Sequence, residues 1–152
     1  MKHRVLIAFL LAPMPLLAEV VDFESMEVNA PPRGWGLTMT DGGEPPRWQI
    51  VNDASSPARS KVLAQLLEDR TSGRFPLAIH PNAVVANGEI SVRFKPISGR
   101  VDRAAGLVWR YRNENNYYIV RANSLEDNVV LYKVENGRRT PLEPVGRADD
   151  YG

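Results

Sequence analysis

The chain reads as an all-β protein, a β-sandwich of antiparallel strands, and three observations predict it. Apolar and polar residues alternate with a period of two through much of the stretch from Glu89 to Glu135. The links between these runs are short and rich in Asn, far below the roughly dozen residues that a parallel crossover needs. Finally, 12 prolines and 11 glycines among 152 residues suit a loop-rich sheet protein better than a helical one.

The elements follow in order. Residues 1–18 open with Lys2, His3 and Arg4, continue through an apolar run to Leu17 and end on the small residue Ala18, the layout of a signal peptide. That run is short for a bilayer and is broken by Pro13 and Pro15, so no stable membrane span is expected after cleavage. A periplasmic or secreted domain over residues 19–152 is expected instead. The absence of cysteine excludes a lipid-anchoring cysteine and any disulfide, and a domain of this length can build a core without one.

Val20 to Phe23 is predicted as the first strand, and Ala30 to Trp35 as a Pro/Gly loop. Trp48 to Val51 is predicted as the next strand. Ser56 to Arg70 carries a helix signal: Ser56-Pro57 is a fair start, and Val62, Leu63, Leu66 and Leu67 recur at helical spacing. Phe75 to Ile79 reads as a strand closed by His80-Pro81. Glu89 to Lys95 alternates most cleanly, with Ile90, Val92 and Phe94 on one side. Leu107 to Tyr111, Tyr118 to Ala122 and Val129 to Val134 complete a meander. Asn136-Gly137 is the dipeptide of a two-residue hairpin, because both residues accept positive φ.

If the strands from Glu89 onward pair in sequence order, Arg93, Arg110, Arg121 and Lys133 share one outward face, with Ser91, Tyr117 and Asn123 among them. An ordinary solvated sheet face is the competing explanation. The excess of cations over acids favours a polyhydroxylated or anionic ligand, which guanidinium forks recognise well. Tyr117 is the expected platform for a sugar ring, whereas Trp109 is assigned to the core with Leu107 and Tyr111. Trp35 and Trp48 flank loops and receive no role.

Composition points to one domain, with 43% hydrophobic and 24% charged residues. A net charge of +1 is not that of a general nucleic-acid binder. The familiar catalytic signatures are absent: there is no Gly-x-Ser-x-Gly elbow, His-Glu-x-x-His pair, phosphate-binding loop or thiol. Of the two histidines, His3 falls in the signal and His80 in a predicted loop. Glycosidases need two facing carboxyl groups. The acids Asp22, Glu24 and Glu27 imitate such a set only in spacing. Glu126 and Asp127, in a strand-connecting loop, are the candidate catalytic acids; successive residues point apart, so one of them rather than the two together is expected to act as acid or base, against a competing role as turn builders. Either would also suit a divalent metal such as calcium, which takes loop oxygens, although too few acids cluster to define a site.

The segments AAGLVWRYRNENNYYIVRAN, SLEDNVVLYKVENG and VRFKPISG resemble the 3-keto-disaccharide hydrolase domain family, loosely labelled family 16 glycoside hydrolase. The resemblance spans about Asp22 to Leu142 and is strongest after Glu89. It implies a concanavalin A-like jelly roll, and it implies a strand rather than a helix at Lys61 to Gln65. It also implies further strands beyond Gly152, so a C-terminally incomplete domain is expected. The activity implied is cleavage of a glycosidic bond in an oxidised sugar. There, proton abstraction beside the keto group would need one base, Glu126 or Asp127, and cationic stabilisation from Arg110, Arg121 or Lys133. A non-catalytic carbohydrate-binding module using the same face is the alternative, and a purely structural sandwich the third.

Overall fold

The computed structural model describes residues 19–57 and 60–147, so the predicted signal peptide lies outside it. Among the described residues there is no helix. Eight strands form: β1 (Gly36–Thr40), β2 (Trp48–Asn52), β3 (Lys61–Gln65), β4 (Phe75–Ile79), β5 (Ala104–Asn113), β6 (Asn116–Asn123), β7 (Asn128–Glu135) and β8 (Arg138–Arg147). They make three antiparallel sheets, ordered β1-β4, β2-β3 and β5-β6-β7-β8. The chain is all-β with antiparallel sheets, consistent with a β-sandwich.

The meander from β5 to β8 forms because its links are tight. Asn136 and Gly137 both take positive φ, at 51° and 78°, and Glu135 pairs with Arg138 across them, as the hairpin dipeptide predicts. At the opposite link, the Asn113 side chain accepts from the Asn115 backbone N–H and from the Asn116 amide, each at 3.0 Å. Gly106 allows β5 and β6 their close approach. A Cβ there would lie 1.7 Å from the Val120 carbonyl oxygen, so no other residue fits without moving a strand.

Phe75 and Leu77 of β4 pack on Tyr117, Ile119 and Val134 of the four-stranded sheet, with Ile79, Val108, Tyr111 and Tyr132 around them. The polar tip of Tyr117 is satisfied inside this core: its hydroxyl bonds to Thr40 Oγ1, which donates to the Glu114 carbonyl at 2.7 Å. Burial pushes the Tyr117 phenol up to about 12. In the β2-β3 pair, Ile50 is fully buried. The preceding loop closes the free edge of β2, the Ile50 N–H donating to Ala30 at 2.9 Å and the Asn29 N–H to Ile50 at 2.8 Å.

Four sequence expectations are corrected. Val20 to Phe23 is not a strand, and Val20 remains 82% exposed. Glu89 to Lys95 is extended but joins no sheet, and the fourth strand of the meander is β8 instead. By contrast, the strand expected at Lys61 to Gln65 is observed: β3 forms there and pairs with β2 along its whole length, and the helical spacing of Ser56 to Arg70 gives no helix among the described residues. The outward face is also reversed on β6: Tyr117, Ile119, Arg121 and Asn123 are buried, while Tyr118, Val120 and Ala122 are only half-buried. Trp109, expected in the core, pairs with Tyr118 on the side away from it.

The hydroxyl link between the sheets should be measurable. Tyr117→Phe and Thr40→Val are each expected to lower unfolding free energy by about 1–2 kcal/mol, since each strands a buried polar partner. In a urea double-mutant cycle the two losses should be less than additive. Full additivity would remove the bond from the account.

Candidate functional site

The side of the four-stranded sheet turned away from the core carries a shallow depression of about 240 Å³. Arg110, Arg112, Asn116, Tyr118, Lys133 and Glu135 line it, with Tyr117 and Val134 contributing from the strands beneath. Beside it, Trp109 and Tyr118 stack, their ring centroids 5.9 Å apart and their planes at 21°. The Arg110 guanidinium stands over the Tyr118 ring at 5.9 Å, a favourable cation–π arrangement.

A β-bulge makes this geometry. Trp109 pairs with Tyr118, and the next partners are Asn113 and Asn116, so Arg110, Tyr111 and Arg112 stand opposite Tyr117 alone. Arg110 takes a φ of 50°, a conformation that costs a non-glycine residue about 1–2 kcal/mol. Tyr111 thereby turns into the core beside Tyr117, at 6.1 Å, and Arg110 is thrown out over Tyr118. Strained bulges that re-aim a side chain concentrate near functional sites.

The depression has three cations and one carboxylate. Lys133 donates to Glu135 at 2.9 Å, and this bond raises the Lys133 pKa. Arg110 and Arg112 make no hydrogen bond among the described residues. Their donors are therefore available to a ligand. A larger depression of about 370 Å³, among Ser25, Met26, Glu27, Ala30, Pro31 and Arg33, has no aromatic wall.

The residues expected to form one face are divided among three places. Arg110 and Lys133 line the depression. Arg93 lies on the exposed, unpaired segment. Tyr117, Arg121 and Asn123 point into the molecule. Sequence reading missed Tyr118 and the surface position of Trp109. The signal was the second face of β6, where Tyr118 alternates with Val120 as regularly as Tyr117 does with Ile119.

Arg121 is 7% exposed and its charge is answered locally. Nη1 donates to Asp102 at 3.3 Å; Nη2 donates to Glu126 at 2.5 Å and to Asn128 at 2.9 Å. Asn123 donates to the same Asp102 oxygen at 2.7 Å. Only Nε has no partner. This cluster ties the loop before β5 to the Ser124–Asp127 turn. Glu126 is held below the ordinary carboxylate range, first by the hydrogen bond from Arg121. It therefore stays ionised near neutrality and cannot serve as a general acid there. Asp127, at φ 51°, occupies the left-handed position of the turn. Among the described residues no three Asp, Glu or His side chains converge to hold a metal ion. No described helix is long and apolar enough to cross a membrane.

Compared with known proteins, the chain matches no family model, no curated protein and no solved structure. The family resemblance rests on the residues quoted above.

Two outcomes are expected. Arg110→Gly should raise unfolding free energy by about 1 kcal/mol, because glycine takes the positive φ without strain; an unchanged or lower stability in urea denaturation would contradict the strain. Glu126 has a folded pKa below its ordinary 4.5. Its contribution to stability is therefore complete above the unfolded-state value and fades as pH falls through the folded one. The stability gap between wild type and Glu126→Gln should accordingly close on acidification below about pH 4.5; a pH-independent gap would show that ionisation is not involved.

Proposed function

We propose that this chain is an exported carbohydrate-binding domain of the concanavalin A-like jelly-roll kind, and that its sugar lies in the depression beside Trp109 and Tyr118. The carrying observation is the bulge, where a strained Arg110 is displayed beside a stacked aromatic pair, with Arg112, Asn116 and Lys133 around it. Aromatic rings suit the apolar C–H face of a pyranose. Guanidinium, ammonium and amide donors around them suit its hydroxyl oxygens or an anionic substituent.

Hydrolysis of a 3-keto-disaccharide, the activity the family resemblance implies, is the second reading. One observation bears on it: Glu126 is ionised, half-exposed and held by Arg121, so it can accept a proton, although the bond from Arg121 weakens it as a base. Two facing carboxylates, as ordinary glycoside hydrolysis requires, do not line the depression, where Glu135 is the single acid.

Binding to a glycan panel, followed by tryptophan fluorescence and calorimetry, separates the two. Trp109→Ala and Tyr118→Ala are each expected to weaken binding about tenfold or more, near 1.4 kcal/mol. Glu126→Gln should leave affinity intact. Retained binding in the Trp109→Ala, Tyr118→Ala double variant would end the proposal. Sugar release from 3-keto-glucosides by wild type, abolished in Glu126→Gln, would establish the second reading instead.

A further inference from the structure

The segment from Glu89 to Lys95 has the cleanest strand pattern in the chain and no strand partner. Among the described residues, none of its backbone groups enters a backbone–backbone hydrogen bond. Every residue from Pro81 to Ser98 is exposed. Ile90, Val92 and Phe94 keep 47%, 50% and 42% of their surface open. Its far end is moored: Lys95 Nζ donates to Ser55 at 2.5 Å and to Asp53 at 3.2 Å, and Ser98 to Glu68 at 3.3 Å. A fixed, extended ribbon with free N–H and C=O groups and an apolar stripe is a template for another strand.

We propose that this ribbon is an interaction surface for a second copy of the chain, the two Glu89–Lys95 segments pairing antiparallel about a two-fold axis at Val92. The sequence is self-complementary in that register. Glu89 faces Lys95, Ile90 faces Phe94, Ser91 faces Arg93, and Val92 meets its own copy. Gly88 and Pro96 bound the ribbon at equal distances from the axis, and Pro96 cannot continue the ladder.

Neighbouring registers are worse. An axis at Arg93 sets two guanidinium groups against each other, and one at Phe94 sets Arg93 against Lys95. An axis at Ser91 leaves Phe94 opposite Gly88. Like charges directly opposite destabilise a pair and unlike charges favour it. A two-fold contact closes on itself, so it yields dimers rather than filaments. A ribbon of seven residues per copy is small beside a standard interface, so the dimer should be weak and concentration-dependent.

Sedimentation equilibrium of the whole chain is expected to show reversible dimerisation. Glu89→Lys, which sets Lys against Lys, should weaken it about tenfold. Val92→Lys, which sets Lys against Lys on the axis and leaves the Lys95 mooring in place, should do the same. An equimolar mixture of Val92→Lys with Val92→Glu should recover association, because unlike charges then face each other on the axis. Glu89 makes no ion pair among the described residues, so its replacement tests the contact rather than the fold. A monomer at every concentration would overturn the proposal. So would association unchanged by either substitution, or a mixture no tighter than the single variants.

Discussion

The burial of Tyr117 sets the layout of the sheet. Its ring fills the space between β4 and the four-stranded sheet, and its hydroxyl finds Thr40 on β1 and, through it, the Glu114 carbonyl. A phenol is tolerated there because both of its needs, dry surroundings for the ring and a partner for the oxygen, are met at one place. Strand geometry carries the consequence along β6: Ile119, Arg121 and Asn123 must follow Tyr117 inward. An inward arginine is tolerable only when paired. Asp102, Glu126 and Asn128 supply the partners from the chain segments that close the end of the sheet.

The same residue explains the bulge. In a regular ladder β5 would alternate Trp109 out, Arg110 in, Tyr111 out, placing a second guanidinium among the apolar side chains of the core. Three residues against one reverses that order, so Tyr111 joins the core and Arg110 leaves it. The left-handed backbone at Arg110 costs about 1–2 kcal/mol. Burying an unpaired guanidinium would cost several times more, so the strained form is the cheaper one.

Much of the fold is legible in the residues. The meander, the Asn136-Gly137 hairpin and the strands at Trp48 and Phe75 follow from alternation and turn chemistry. Alternation sorts side chains into two classes without saying which class is inside, and β6 offers an aromatic and an aliphatic residue on both. The presence of Arg121 argues for solvent only while its carboxylate partners are unseen; they come from positions 102 and 126, which no periodicity links to it. Gly36 to Thr40 escaped notice because it is short and its alternation misleads: Leu37 is exposed, whereas Thr40 is buried. Glu89 to Lys95 has the pattern and lacks the neighbour, which shows that propensity proposes a strand and pairing makes one. Within the candidate site, Arg110 and Lys133 were visible as outward cations, whereas Trp109 and Tyr118 look like core residues to any rule based on hydrophobicity.

Arg121 and Arg110 differ most in what their donors do. Three contacts inside the protein occupy the Nη groups of Arg121, so an incoming ligand would have to compete with carboxylates already in place. Arg110 makes only a cation–π contact with Tyr118, and its guanidinium can hydrogen-bond without breaking a bond within the protein. Replacing an existing hydrogen bond returns little net free energy, whereas filling an open one on a partly desolvated surface returns more. The face with unspent donors and half-buried aromatic rings is therefore the better binding surface, and the buried cluster around Arg121 is the better structural clamp.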